Sequence, residues 1–271
     1  MYITVVVTTY NRPDALRLVL SALDLQTDKE FEVIVADDGS LNDTRMLIEQ
    51  MSAIVSFPLM HAWQRDDGFR AARARNLAVK HSSGDYFLFL DGDCLPMPTW
   101  VQNHRSLAER RWAVVGNRVL LSDSYSDFVL KSDSAVVAEG LGYWFERLWN
   151  GDINRIQPLL TFPFPFWRRW FSKSWNKLRS CNFGICREDF ELVNGFDSSF
   201  CGWGLEDSDL AVRLMNAGVG VKLGYFSTPV LHLWHREYSR EREELNRQVV
   251  FGRLLQKVVE ASDGLRELKE E

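Results

Sequence analysis

The sequence predicts an α/β fold with a mostly parallel central sheet flanked by helices. Three observations carry that prediction. Short apolar, β-branched runs alternate with stretches of helical periodicity through the first half of the chain. Polar clusters recur where those runs end: Thr8-Thr9-Tyr10-Asn11-Arg12, Asp37-Asp38-Gly39-Ser40 and Asp91-Gly92-Asp93. The length of 271 residues, with 46% hydrophobic and 25% charged residues, suits one large ordered domain rather than a disordered chain.

Taken in order, residues 3–7 form a first strand, apolar, β-branched and short enough to be buried. Pro13 then stands where a helix can start, and Leu16, Leu18, Val19, Leu20 and Leu23 follow at helical spacing. Residues 31–36 make a second strand, 44–51 a short helix, 71–80 another helix and 86–90 a third strand. From about 123 to 179 the alternation breaks, and an insertion is expected there. Within it, residues 162–171 mix Phe, Trp and Arg, and no acid occurs from Ile156 through Arg187. The alternation resumes with a strand at 182–186 and a helix at 207–217. The final segment is charged, with Leu245, Val249, Leu254, Leu255 and Val258 as the apolar face of a helix that packs back. A domain over 1–240 with a helical tail over 241–271 follows.

Net charge is −5, with 32 basic against 37 acidic side chains, which disfavours a general nucleic-acid binder. Cys94, Cys181, Cys186 and Cys201 form no Cys-x-x-Cys pair, so reduced thiols in or near the core are expected rather than a zinc knuckle. The sequence opens directly on its first strand and carries no apolar run long enough to span a bilayer. A cytoplasmic chain is expected. Arg168, Arg169, Lys173, Lys177 and Arg179, set among aromatics at 162–179, suit either peripheral contact with an anionic membrane or a loop over the site with solvated cations.

Five clusters carry chemistry, and most have a plainer alternative. Asp91 and Asp93, one residue apart in a glycine turn, can both face one hard cation, although Asp and Gly also favour turns. Asp38, at a strand end, can accept a hydrogen bond from an imide N–H such as N3 of uracil. Trp203-Gly204-Leu205-Glu206-Asp207-Ser208-Asp209 pairs an aromatic platform for a sugar ring with carboxylates able to take a proton from a hydroxyl. Those acids can equally cap the helix that follows. His232 and His235 offer imidazole to Mn²⁺, and at most one is expected to ligate. Arg70, Arg73 and Arg75 open a helix; one or two can reach a diphosphate, and the rest are expected in solvent.

Together these segments resemble the family 2 glycosyltransferases, inverting enzymes with the GT-A nucleotide-sugar fold. The resemblance rests on Thr8-Thr9-Tyr10-Asn11-Arg12, Ala36-Asp37-Asp38-Gly39-Ser40, Ala74-Arg75-Asn76 and Leu90-Asp91-Gly92-Asp93, in order, and covers residues 3 to 236. Gly202-Trp203-Gly204-Leu205-Glu206-Asp207 is similar to the Trp-Gly-x-Glu-Asp motif of β-1,4-galactosyltransferases and chondroitin-polymerase-like domains. The resemblance implies a UDP-sugar or other nucleotide-sugar donor and Mn²⁺ or Mg²⁺. It places Thr8, Tyr10, Asp38, Arg70 and Trp203 on the donor, Asp91 on the ribose or metal, and Asp93 with His232 or His235 on the metal. Glu206 would hold a sugar, Asp207 would be the catalytic base, and a glycan or lipid-linked glycan would be the acceptor. Leu205 departs from the motif, where galactosyltransferases usually carry Gly. A nucleotidyltransferase and a non-catalytic carbohydrate- or nucleotide-binding module are the rival readings. The first would need a Gly-rich basic loop in place of Thr8-Thr9-Tyr10-Asn11, and the second would tolerate loss of the acids.

Overall fold

The computed structural model describes residues 1–132, 136–160, 167–169, 175–202, 204–236 and 242–269. The helix and strand periods of the first half are realised with small shifts at the ends. β1 (Ile3–Thr9) leads to α1 (Pro13–Asp24), β2 (Phe31–Asp37) to α2 (Asn42–Ser52), and β3 (Leu59–Trp63) to α3 (Ala71–Lys80). β4 (Tyr86–Asp91), β5 (Cys94–Pro96) and α4 (Trp100–Leu107) follow, then β6 (Trp112–Val115) and β7 (Asn117–Leu120). The insertion contributes α5 (Asp123–Ser132) and α6 (Leu141–Trp149). Last come β8 (Asn182–Cys186), α7 (Arg187–Leu192), α8 (Glu206–Asn216), β9 (Gly220–Leu223), β10 (Pro229–His232) and α9 (Glu243–Gln256).

Seven strands form the central sheet in the order β3-β2-β1-β4-β8-β6-β9, with only β8 running against its neighbours. A separate three-stranded sheet is ordered β5-β10-β7. Strand alternation divides the core in two. Val5, Val7, Leu88 and Leu90 face α1, α4 and α5, while Val6, Phe87 and Phe89 face α3, α7 and α8. On the second face Phe89 stacks on Phe183 at 4.7 Å and meets Phe196 edge-on at 5.3 Å, so aromatic packing joins β4 to β8 and to the loop before α8.

The tail forms the expected helix and packs back, but most of its expected apolar face is turned outward. In α9 the buried residues are Asn246 and Val250, whereas Leu245, Val249 and Leu255 are exposed. Polar contacts decide this orientation. Asn246 Nδ2 donates to the Gly204 carbonyl at 2.9 Å, and Arg253 pairs with Asp197 at 2.8 Å and with Asp209 at 2.9 Å. Asp209 also pairs with fully buried Arg213 at 2.8 Å, so α9 is clamped to α8 by buried ion pairs.

The basic insertion is corrected in part. Arg168 is neither solvated nor available to a lipid surface: it is buried and donates to the carbonyls of Leu223 and Tyr225 and to Ser227 Oγ. Arg169 pairs with Glu109 at 2.6 Å. Residues 161–166 and 170–174, which hold most of the aromatic run and Lys173, lie outside the described residues.

His104 of α4 is fully buried, against Trp100 and within 3.4 Å of Asn182 Oδ1. Burial pushes its pKa down to about 3, the contact with Asn182 opposing. The folded state therefore holds it neutral, and its contribution to stability is complete above pH 6.5. That contribution is lost as pH falls from 6.5 toward 3, by up to roughly 5 kcal/mol. Urea unfolding across that window is expected to show the slope in the wild type and a flatter one in His104→Gln.

Candidate active site

Parallel register brings three strand ends level. Thr8 lies opposite Ala36 on one side and Asp91 on the other, so the loops after β1, β2 and β4 open at one edge. Asn11 turns the first loop in the left-handed region, at φ 50°. Its backbone N–H donates to Ser40 Oγ at 2.8 Å, and its side-chain oxygen accepts from the Leu41 N–H at 2.8 Å, tying the first two loops together. Gly92 must be glycine, since a Cβ there would stand 2.8 Å from the Thr8 carbonyl oxygen. These loops border a cavity of about 680 Å³.

Of the residues singled out in the sequence, Thr8, Tyr10, Asp38, Asp91, Asp93, Glu206, Asp207, His232 and His235 all line this cavity. Arg70 is not among the lining residues: its backbone N–H donates to Asp38 Oδ2 at 2.7 Å and its guanidinium to the Arg65 carbonyl. Trp203 lies outside the described residues. Asp38 also accepts from Gln64 Nε2 at 2.6 Å. Burial nevertheless dominates and pushes its carboxyl up to about 6, against those two hydrogen bonds.

Arg75 is the residue that sequence reasoning left unassigned. Its side chain is buried and reaches three elements at once. Nε donates to Thr8 Oγ1 at 2.9 Å, Nη1 to Glu206 Oε1 at 3.1 Å and Nη2 to Asp91 Oδ1 at 3.2 Å. Burial raises the carboxyls of Asp91 and Glu206, and Arg75 opposes that rise in both. The signal was present in the sequence. Ala71, Ala72, Ala74 and Ala78 leave the helix around Arg75 with little bulk, so α3 packs against β1, β2 and β3 and Arg75 is buried there. Arg73 is likewise engaged, with Gln64 and the Lys269 carbonyl.

The acids opening α8 divide by role. Asp209 is structural, Glu206 is spent on Arg75, and Asp207 lines the cavity with its side chain 13% exposed. Asp207 has Arg179 at 3.8 Å and accepts from Ser208 Oγ at 3.2 Å. Side-chain capping does not explain the cluster, because the N-cap is Leu205 and no cap bond forms. Negative charge in the first turn still suits the helix dipole. Leu205 adopts φ 74°, the left-handed conformation that glycine takes without strain, and this is the position where the sequence departs from its motif.

The opposite wall comes from the small sheet. Asp93 Oδ1 stands 3.7 Å from His232 Nε2, and Oδ2 stands 3.4 Å from His235 Nε2. Both imidazoles therefore flank one carboxylate. Burial lowers the pKa of His232, with Asp93 opposing, which favours the neutral form a cation needs. Donor atoms of Asp93, Cys94 and His232 all lie within 4.8 Å of one another. Arg118 completes this side, its guanidinium 3.8 Å from Cys181 Sγ.

Residues 4–179 match the model of the family described as glycosyl transferase family 2, and residues 168–235 match one described as the N-terminal domain of galactosyltransferase. The chain is 28% identical to the hyaluronan synthase of Pasteurella multocida, over 91% of this chain and 26% of that protein. It is 26% identical to the chondroitin synthase of Escherichia coli, over 90% of this chain and 36% of the relative. It is 29% identical to a validoxylamine A glucosyltransferase of Streptomyces hygroscopicus subsp. jinggangensis, over 80% and 52%. The chain thus spans about a quarter to a half of these relatives' length. Among solved structures, S. aureus TarS 1-349 in complex with UDP superposes with a TM-score of 0.65 at 14% identity, over 96% of this chain and 70% of that one. The mannosyltransferase PcManGT from Pyrobaculum calidifontis, in complex with GDP-Man and Mn²⁺, gives 0.58 at 18% identity, over 99% and 65%. These likenesses establish the fold as GT-A.

Proposed function

The chain belongs to glycosyl transferase family 2, and from that premise we propose that it is a metal-dependent, inverting hexosyl- or N-acetylhexosaminyltransferase. Its donor is a nucleoside-diphosphate sugar, UDP-linked in the simplest case. Its acceptor is a hydroxyl of a glycan or lipid-linked glycan, in the assembly of a surface polysaccharide or lipopolysaccharide. Residues 1–240 are the catalytic domain in this reading, and 241–271 the helical tail docked on it. The observation that carries the proposal is the meeting, in one cavity, of a strand-end carboxylate for a base, a carboxylate–imidazole wall and a separate cavity-facing acid.

Each residue then has a task. Asp38, braced by Gln64 and the Arg70 N–H, accepts the imide N–H of the base, with Thr8 and Tyr10 alongside. Asp93, with Asp91 and either His232 or His235, would hold Mn²⁺ or Mg²⁺; the oxygen and imidazole donors present fit such an ion. When bound, the cation offsets charge on the departing diphosphate. Glu206, fixed by Arg75, holds a sugar hydroxyl. Asp207 takes the acceptor hydroxyl's proton as that oxygen bonds to the anomeric carbon. The bond from that carbon to the phosphate oxygen breaks on the opposite side, which inverts the centre.

The test is a donor panel of UDP-, GDP- and TDP-sugars with Mn²⁺, read as released nucleoside diphosphate. Slow hydrolysis of one donor, abolished by EDTA and by Asp93→Ala, is expected. Silence across the panel, with no thermal stabilisation by any nucleotide plus metal, would turn the reading to a non-catalytic binding module. A pH dependence accompanies it. Since Asp38 titrates at about 6, the carboxylate that accepts the base is present above that value and lost below it. The donor KM is expected to rise about tenfold for each unit below pH 6, and Asp38→Asn to bind weakly at every pH.

A further inference from the structure

We propose that Cys94 gives the cation site a second, thiophilic position, which makes ions of the Zn²⁺ class inhibitors of the enzyme. The inference rests on the proposed metal role of Asp93 and adds to it a ligand and a selectivity. Asp93 presents its two oxygens in different directions. Oδ2 looks to His235, the more exposed imidazole, and Oδ1 looks inward to His232 and to the buried Cys94 thiol. The outer side suits a hard ion that completes its shell with phosphate oxygens. The inner side offers one oxygen, one nitrogen and one sulfur.

The distances fit that division. Around a tetrahedral Zn²⁺, with Zn–S near 2.3 Å and Zn–N or Zn–O near 2.0 Å, neighbouring donor atoms stand roughly 3.3–3.5 Å apart. Here Cys94 Sγ is 3.7 Å from Asp93 Oδ1, and His232 Nε2 is 3.7 Å from the same oxygen. Donor atoms of all three residues stand within 4.8 Å of one another, so the triad is already gathered. The backbone also favours the grouping, because antiparallel pairing sets Cys94 directly opposite His232. On binding, the ion displaces the thiol proton to solvent and forms the metal–sulfur bond, with no change of oxidation state. Imidazole and thiolate prefer Zn²⁺, Co²⁺ and Cd²⁺ to Mn²⁺ or Mg²⁺. An ion held there takes Asp93 Oδ1 and His232 out of the donor-binding arrangement.

Co²⁺ titration of the full chain reads the proposal without any sugar donor. A thiolate-to-cobalt charge-transfer band in the near ultraviolet is expected in the wild type and in Cys181→Ser, and is expected to be absent from Cys94→Ser. Zn²⁺ added to the Mn²⁺-supported hydrolysis should inhibit it, with the inhibitory concentration rising by at least about tenfold in Cys94→Ser. Co²⁺ binding without the band, a band that follows Cys181 instead, or equal zinc sensitivity in wild type and Cys94→Ser would each overturn the assignment. Hydrolysis with Mn²⁺ in the absence of the band would leave the transferase reading intact while removing this one, so the two fail separately.

Discussion

Asp207→Asn is expected to keep donor affinity and to lower sugar transfer by roughly 10²- to 10⁴-fold, the range that a positioned general base contributes. The substitution is nearly isosteric and leaves the groups that would meet the donor untouched: Asp38, Asp91, Asp93 and Arg75 sit on other elements. What it removes is the one cavity-facing carboxylate at the start of α8 that is neither buried against Arg75 nor locked into the α8–α9 clamp. Calorimetry with nucleoside diphosphate plus Mn²⁺ would check the first half of the prediction, and transfer rates the second. Full activity in the variant would remove Asp207 as the base. Weakened donor binding would instead point to the neighbouring Arg179 contact as part of the donor site.

Arg75→Met is expected to be worse than inactive. The guanidinium neutralises the buried carboxylate of Glu206 and the half-buried one of Asp91, and removing one partner of a buried pair costs about 3–5 kcal/mol. The pH dependence follows from the direction of the shifts. Both acids are already raised by burial, and Arg75 is what opposes the rise. Without it they rise further, so the folded variant binds protons more tightly than the unfolded chain. Its stability is then best at low pH and falls as pH rises through the folded-state values, where ionisation would leave Glu206 charged and unpaired in the interior and Asp91 unpaired at the cavity wall. Thermal melts between mildly acidic and mildly alkaline buffer would show this slope in Arg75→Met. Pairing the substitution with Glu206→Gln should restore part of the stability but none of the donor hydrolysis, which separates folding from chemistry.

The contrast between Arg75 and the strand-end acids shows what the linear chain discloses. β1, β2 and β4 were legible because each is a continuous apolar run, and the loops after them follow once parallel register is assumed. The small sheet was not legible as a sheet. β5, β7 and β10 are three or four residues long and come together from positions 94, 117 and 229, so no local pattern announces their pairing. That sheet places Cys94 beside His232, a contact invisible at a separation of more than a hundred residues. Arg75 was hidden for another reason. Charged residues on a helix are usually solvated, and only the alanines around it indicate that this helix offers no wet face at that point. Leucine spacing alone does not set the phase of α9. Asn246 and Arg253, through specific partners on α8 and the loops before it, set the rotation instead.

The two sheets are separate hydrogen-bonded ladders, and the cavity lies across the gap between them. Asp91 ends a strand of the large sheet, whereas Cys94 and His232 are paired across β5 and β10 of the small one, with Asp93 just before β5. A cation and diphosphate gripped from both sides would thus act as a rivet. Every increment of binding free energy would also be an increment of cohesion, about 2.7 kcal/mol when ligand stands at a hundred times its dissociation constant. For a protein of ordinary marginal stability that is a sizeable fraction of the whole. Its lifetime in a cell would then track the supply of its own donor, with the starved protein the one that opens first to proteases.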